Sequence, residues 1–343
     1  MNKVAEVTRN GMVESVHEGN VAVVRQDRTL THFFGDPEQI CYFRSSGKPF
    51  IVLSHLTKKI HEAFGFSLKE LAIMSSSHSG GKQHVETLIG IANKLGIQES
   101  DINCGVREPF GVNEKFELYR SGALPSQWHN NCSGKHLGFL AACRVMGWSF
   151  DHYWDISHPI QQDILACIAE FSDIPKANVH IGVDGCGVPV FGVPLKNMAL
   201  AYARLFDTGF LNGKYKDVQE LLHRAVTEHP EMIAGSGRLD TDLIRYSHGE
   251  YFGKMGADGV FCVHCHPQKL GIAIKIQDGG IRAVDPVVME TLSQLGVLQE
   301  EMLEKMNHYH YPPVLTWTGK TTGLINPVFK LKGYCSHPST DSG

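Results

Sequence analysis

A chain of 343 residues with 42% hydrophobic residues, 20% charged residues and a formal net charge of −4 has the balance of a globular protein able to bury a sizeable core. Its 32 basic and 36 acidic residues are dispersed, which leaves no electrostatic footprint for nucleic acid or an anionic membrane surface. No apolar run approaches the roughly 20 residues that cross a bilayer.

The first ten residues, MNKVAEVTRN, carry no apolar signal core, so the expected location is cytoplasmic, with the nine cysteines reduced. An odd number of scattered cysteines is not a disulfide framework. Cys143 and Cys167 fall on the apolar faces of predicted helices and read as small buried hydrophobes.

The first 35 residues read as strands. A hairpin turn is expected at Asn10-Gly11 and a second turn at Gln26-Asp27. From about Ser45 the pattern becomes helical. Residues 50–65 carry apolar side chains at helical spacing, and Ser67 with Glu70 forms a capping box for the next helix. The amphipathic stretch 82–96 stops at Gly96. Further helices are predicted over 134–146, 158–171, 195–206 and 216–228, with Ser157 as the N-cap ahead of Pro159. Strand patterns interrupt at 179–185 and 188–195 and return at 259–265, 270–278 and 313–331. A helix at 285–296 precedes the last of them. Strands at both ends around a helical block predict one antiparallel sheet assembled from the two ends and covered by helices. That is an α+β, α/β/α-like three-layer fold with a helical lobe over about 45–175, not a doubly wound parallel sheet. The expected division is one domain over 1–331 and a polar, loosely ordered tail over 332–343.

Several segments hold side chains suited to chemistry. Arg44-Ser45-Ser46-Gly47-Lys48-Pro49 places Ser45 and Lys48 at i and i+3 at the start of a helix, on one face. A lysine kept neutral by the helix end and by burial can accept the serine proton, and backbone N–H groups at the same end can hold an oxyanion. Pro49 belongs in a first helical turn. The motif is short and also arises without function. Ser75-Ser76-Ser77-His78-Ser79-Gly80-Gly81, ahead of a helix, exceeds what a cap requires. Asn131-Cys132-Ser133-Gly134-Lys135-His136 lacks the glycine spacing of a phosphate loop. In Gly182-Val183-Asp184-Gly185-Cys186-Gly187, a glycine-rich turn holds an acid and a thiol. Cys132 and Cys186 together could bind a soft metal or could simply be buried thiols. Lys254, between Gly253 and Gly256, and Lys320, before Thr321-Thr322-Gly323, point either into a cleft or into water. Cys262-Val263-His264-Cys265-His266 matches a haem-attachment pattern, but its cysteines lie in a predicted strand and read as core and edge residues.

Taken in order, the segments RSSGKP, SSSHSG, NCSGKH, GVDGCGVP, HPEMIAGSGR and GKMGAD resemble class 3 (Rhizobium-type) L-asparaginases of the asparaginase II family. The resemblance runs from about Val4 to Leu331. It implies a fold like that of serine β-lactamases and serine glutaminases, and hydrolysis of L-asparagine to L-aspartate and ammonia. It also implies two Ser–Lys pairs, Ser45 with Lys48 and Ser77 with Lys254. Zinc is implied at Cys132, Lys135 and Cys186, with Asp184 beside it, and so is a homodimer. Ser45 is the favoured nucleophile, and Arg44 or Arg238 is the expected partner of a substrate carboxylate. Asp240 stands where the family pattern can carry a further cysteine near the metal, and Lys320 is atypical of the family. Two other readings stay open. One is a glutaminase or β-lactam hydrolase built on the same motif. The other is a zinc-binding amino-acid sensor, which would need no nucleophile.

Overall fold

The computed structural model describes residues 2–334. Its strands are β1 (Lys3–Arg9), β2 (Met12–Arg25), β3 (Leu30–Phe34), β4 (Ile40–Tyr42), β5 (His180–Val183), β6 (Pro189–Pro194), β7 (Tyr251–Gly256), β8 (Val260–Cys265), β9 (Leu270–Ile276), β10 (Pro313–Leu315), β11 (Thr321–Pro327) and β12 (Lys332–Gly333). The helices are α1 (Lys48–Leu56), α2 (Ile60–Phe64), α3 (Leu68–Met74), α4 (Lys82–Leu95), α5 (Val112–Arg120), α6 (Ser133–Met146), α7 (Pro159–Ser172), α8 (Leu195–Arg204), α9 (Lys216–Glu228), α10 (Leu239–Tyr246), α11 (Val284–Gln294), α12 (Glu300–Lys305) and α13 (Asn307–His310).

The two ends of the chain share one antiparallel sheet in the order β10-β11-β1-β2-β9-β8-β7, and β3 and β12 extend it along β2. The α+β layout expected from the sequence is the one observed. Strand β2 is long enough to serve two partners. Its first half pairs with β1, and its second half runs between β9 and β3. Successive side chains of a strand face opposite sides, and here both sides are buried. Ala22, Val24, Cys262 and Ala273 pack toward the helical lobe, while Val21, Val23, Val263, Cys265 and Ile272 pack toward α11. That gives three layers, with α8 tight against β9: a Cβ on Gly271 would lie 1.9 Å from the Ala199 carbonyl oxygen. A small second sheet, β4-β6-β5, which sequence reading did not anticipate as a separate unit, flanks the lobe.

Local signals hold where they have a backbone cause. Asn10 and Gly11 take positive φ (48° and 82°) in the β1–β2 turn. The Ser67–Glu70 capping box forms, and Gly96 closes α4 in the left-handed conformation. The cap of α7 is His158 instead of Ser157: its ring accepts from the Ile160 N–H, while the Ser157 N–H is used by Asp155. Cys262 and Cys265 lie on β8, an interior strand between β7 and β9, and both are fully buried, so neither is an edge residue. Part of the expected tail is ordered structure. Lys332 and Gly333 pair with β3, and the Tyr334 N–H donates to the Thr31 carbonyl. The remainder of the expected tail, 335–343, lies outside the described residues.

Two close approaches position the site. Phe50 in α1 is fully buried and its ring meets Phe43, Phe171 and Tyr202 at centroid distances of 5.7, 5.3 and 5.6 Å. This locks α1 two residues beyond Lys48. At the start of α6, a Cβ on Gly134 would lie 2.2 Å from the Ile73 carbonyl oxygen, so α6 can lie against α3 only because that residue is glycine. Gly134→Ala is expected to lower stability by about 1–3 kcal/mol or more and to displace the α6 terminus. A chemical-denaturation midpoint equal to wild type would contradict this packing account.

Candidate active site

The turn Arg44–Gly47 leads directly into α1, whose first residue is Lys48. Arg44 has φ +50°, which costs energy in a non-glycine residue and persists where surrounding contacts enforce it. Here the enforcement is ionic: Arg44 Nε bonds Asp184 Oδ1 at 3.0 Å, and Nη1 bonds Asp258. Gly256 makes room on the other side, since a Cβ there would lie 2.7 Å from the Phe43 carbonyl oxygen. The α1 turn, the β5–β6 turn and the β7–β8 turn are thereby tied together.

Lys48 is fully buried. Its Nζ donates to the carbonyl oxygens of Ser76 at 2.5 Å and Asn131 at 2.9 Å, and lies 3.1 Å from Ser77 Oγ. The serine run is not the N-cap of α4: Ser75 to Ser79 are all buried, and that cap is Gly81. The Ser77 N–H donates to the Ile233 carbonyl at 2.8 Å, and His78 Nε2 lies 3.0 Å from Ser133 Oγ, which fixes the segment between the 229–238 loop and α6.

Lys254 lies on β7, an edge strand, and is fully buried. Its Nζ is 3.0 Å from Ser77 Oγ, 3.3 Å from Asp240 Oδ1 and 3.2 Å from the Met255 carbonyl oxygen. One serine hydroxyl is thus shared by two buried lysines. The expected Ser77–Lys254 pair forms. The expected Ser45–Lys48 hydrogen bond does not: two carbonyl oxygens draw the Lys48 amine toward Ser77. Ser45 is half-buried at the helix start, and among the described residues its hydroxyl has no hydrogen-bond partner.

Counting protons distinguishes the lysines. A neutral amine has two N–H groups and a lone pair, and an ammonium has three N–H groups. Lys48 has two carbonyl acceptors and one hydroxyl, which suits a neutral amine that receives the Ser77 proton. Lys254 has a carboxylate, a carbonyl and a hydroxyl oxygen, which suits an ammonium. Burial lowers the pKa of both. For Lys254, Asp240 opposes that effect and leaves it at about 8.

A second cluster adjoins the first. Cys132 caps α6, Lys135 lies in its first turn, and Asp184 and Cys186 sit in the β5–β6 turn. Gly187 accepts φ +88° there, and its N–H closes the turn on the Asp184 carbonyl. Lys135 Nζ bonds Cys186 Sγ at 3.0 Å and Asp184 Oδ2 at 3.3 Å. A hydrogen bond from Cys132 lowers the Cys186 pKa to about 5, with Lys135 helping against burial; the same bond, with burial, raises Cys132 to about 12. Burial acts to raise the pKa of Asp184, but Lys135 and Arg44 outweigh it and hold the carboxyl well below its usual range. Donor atoms of Cys132, Asp184 and Cys186 lie within 4.8 Å of one another. Two sulfurs, with an amine and a carboxylate alongside, match the preferences of zinc.

The remaining candidates separate. Arg44 is committed to two carboxylates of this chain. Arg238 is not: its Nη1 is buried with no hydrogen-bond partner, and its guanidinium stacks on Phe110 at 4.8 Å. Lys320 is exposed, away from the cluster. Asp240 is not beside the metal-type cluster but beside Lys254. Sequence reading passed over the Asn131 carbonyl and the Ile233 anchor, because backbone acceptors leave no residue-type signal.

The chain belongs to the L-asparaginase II family, whose model matches residues 5–327, and it is an asparaginase-type amidohydrolase acting on an amide substrate. None of the curated proteins compared matches the sequence. Among solved structures, the chain is similar to a class C β-lactamase from Rhodobacter sphaeroides (13% identity, TM-score 0.41, 82% of this chain and 95% of that one). It is also similar to a β-lactamase from Mycobacterium bovis (11%, 0.41, 80% and 94%) and to simvastatin synthase (LovD) from Aspergillus terreus (12%, 0.36, 78% and 90%). No helix among the described residues is long and apolar enough to cross a membrane.

The proton count has a stability signature. Lys254→Met strands the buried Asp240 carboxylate and is expected to cost about 3–5 kcal/mol at neutral pH. Lys48→Met leaves two carbonyls unpaired but removes the cost of holding a buried lysine neutral, so it should cost less than Lys254→Met. The Lys254→Met loss should shrink as pH falls and the stranded Asp240 takes up a proton. A Lys254→Met loss that is the same at every pH in urea titrations would contradict the assignment.

Proposed function

We propose that the chain is an L-asparaginase working through Ser45, Lys48, Ser77 and Lys254. The observation that carries the reading is the Ser77 hydroxyl held 3.1 and 3.0 Å from two buried lysine amines, with the uncommitted Ser45 just ahead of Lys48 in the chain. Ser45 is the accessible hydroxyl, whereas the Ser77 oxygen already has a partner on each side. The Ser45 oxygen attacks the carboxamide carbon of asparagine, forming the C–O bond, and its proton passes to neutral Lys48 once that amine turns from Ser77 to Ser45. The C–N bond then breaks, and that proton leaves with the nitrogen as ammonia. Ser77 and Lys254 form the second relay, which helps to protonate the departing nitrogen. In deacylation a water oxygen bonds to the acyl carbon, its proton enters the relay, and the ester C–O bond breaks to return Ser45 and release aspartate.

Arg238, with its free Nη1, is the proposed partner of the substrate α-carboxylate. Arg44 and Asp184 satisfy each other, so their proposed role is to hold the site together. Cys132, Lys135 and Cys186 would hold zinc, with Asp184 beside them. A bound zinc would supply positive charge that orients the substrate. The family resemblance also carries a homodimer.

A second reading follows from Lys48 lying on Ser77 instead of Ser45: Ser77 itself attacks. Ammonia release from asparagine, with Ser45→Ala beside wild type, tests the first reading, and acid-quenched acyl-enzyme mapped by mass spectrometry locates the ester. Release by wild type alone, with the ester on Ser45, is expected. Release by the variant, or an ester on Ser77, transfers the role to Ser77. Release by neither protein rejects asparagine and directs the assay to glutamine and a β-lactam. Cys132→Ala is expected to raise KM about tenfold or more while changing kcat less, in line with lost orientation. Unchanged KM with lost kcat would contradict that role.

A further inference from the structure

Asp240, a carboxylate outside the expected catalytic set, touches the junction. Its side chain is fully buried in the first turn of α10. Oδ1 accepts from the Met255 N–H at 2.8 Å and from Lys254 Nζ at 3.3 Å. Oδ2 has no hydrogen-bond partner and lies 3.8 Å from Arg238 Nη2. A carboxylate in such a place is costly unless a cation faces it, and the cation that completes it is the catalytic-site lysine.

We propose that Asp240 is the positioning residue that keeps Lys254 as an ammonium aimed at Ser77, and so assigns the acid role to Lys254 and the base role to Lys48. Geometry supports both halves. By accepting from a backbone N–H of β7 and from the side chain of the preceding residue, Asp240 fixes the lysine stem and the strand edge together. Lys48, on the other side of Ser77, has only carbonyl and hydroxyl partners and no carboxylate in hydrogen-bond reach. Two lysines with identical neighbours would share one ambiguous proton between them. A single carboxylate beside one of them breaks the symmetry and gives the relay a direction.

The charged and titratable groups facing Lys254 are few. Asp240 from α10 favours its charge, while Lys48 from α1 and Arg238 from the loop before α10 oppose it. Asp285, on α11, faces Asp240 from behind. It has an unpartnered Oδ1 and a pKa raised to about 7 by burial and by Asp240, with Arg238 opposing. Tyr202 from α8 and Cys262 from β8 are pushed up by burial and stay neutral.

The inference rests on the amidohydrolase reading, and its test separates the two. Asp240→Asn keeps size and hydrogen-bonding oxygen but removes the charge. Lys254 is read directly in protein labelled with 13Cε-lysine, its resonance assigned by loss in Lys254→Met. The titration midpoint of Lys254 is expected to fall in Asp240→Asn by at least one pH unit, a tenfold loss of proton affinity. The alkaline limb of kcat/KM for asparagine should fall with it. Asp240→Ser, smaller and also uncharged, serves if the asparagine variant fails to fold. An unmoved midpoint, or activity lowered equally at every pH in a folded variant, overturns the inference and leaves the asparaginase reading intact. No ammonia release from asparagine by wild type rejects that reading, while the midpoint still decides whether Asp240 holds Lys254 charged.

Discussion

Among the described residues two lysine side chains, Lys48 and Lys254, are buried completely, and both meet one serine hydroxyl. Removing an ammonium from water is expensive, so each must be paired or give up its proton. The structure uses one solution for each. Lys254 is paired with a buried carboxylate; Lys48 is surrounded by carbonyl oxygens that suit a neutral amine. The features that position the site follow from keeping these amines dry and aligned: the packed ring of Phe50 beside Lys48, the glycine that lets α6 touch α3, and the edge strand that presents Lys254.

The neighbouring thiol cluster obeys the same constraint with different chemistry. There the buried lysine faces a sulfur and a carboxylate, so its charge is paired instead of given up. Asp184 and Arg44 connect this cluster to the start of α1, so a change in its charge reaches the turn that carries Ser45. The strained backbone of Arg44 is the mechanical expression of that link.

Much of this was legible in the sequence. The strand-helix-strand order gave the antiparallel sheet, because alternation and helical periodicity are strong in β2, β9, α4 and α9. The chemistry-bearing residues were readable as types in glycine-rich surroundings, and Ser77, Lys48 and Lys254 do meet. Their partnership was not readable. Ser45 and Lys48 have the right spacing to bond, yet two backbone carbonyls distant in sequence decide where the lysine points. Asp240 was read as a substitution near a metal because its neighbour across space, Lys254, is known only once α10 packs on β7. The cap at His158 and the pairing of Lys332 with β3 were hidden for a similar reason, since each depends on which competing backbone groups are already used.

The measurement that bears most directly on the account is the number of protons on each amine, read by neutron diffraction from deuterated crystals at neutral pH. The account predicts two deuterons on Lys48 Nζ, three on Lys254 Nζ, and the Ser77 deuteron pointing at Lys48. Three deuterons on both amines, or the reverse assignment, would contradict it.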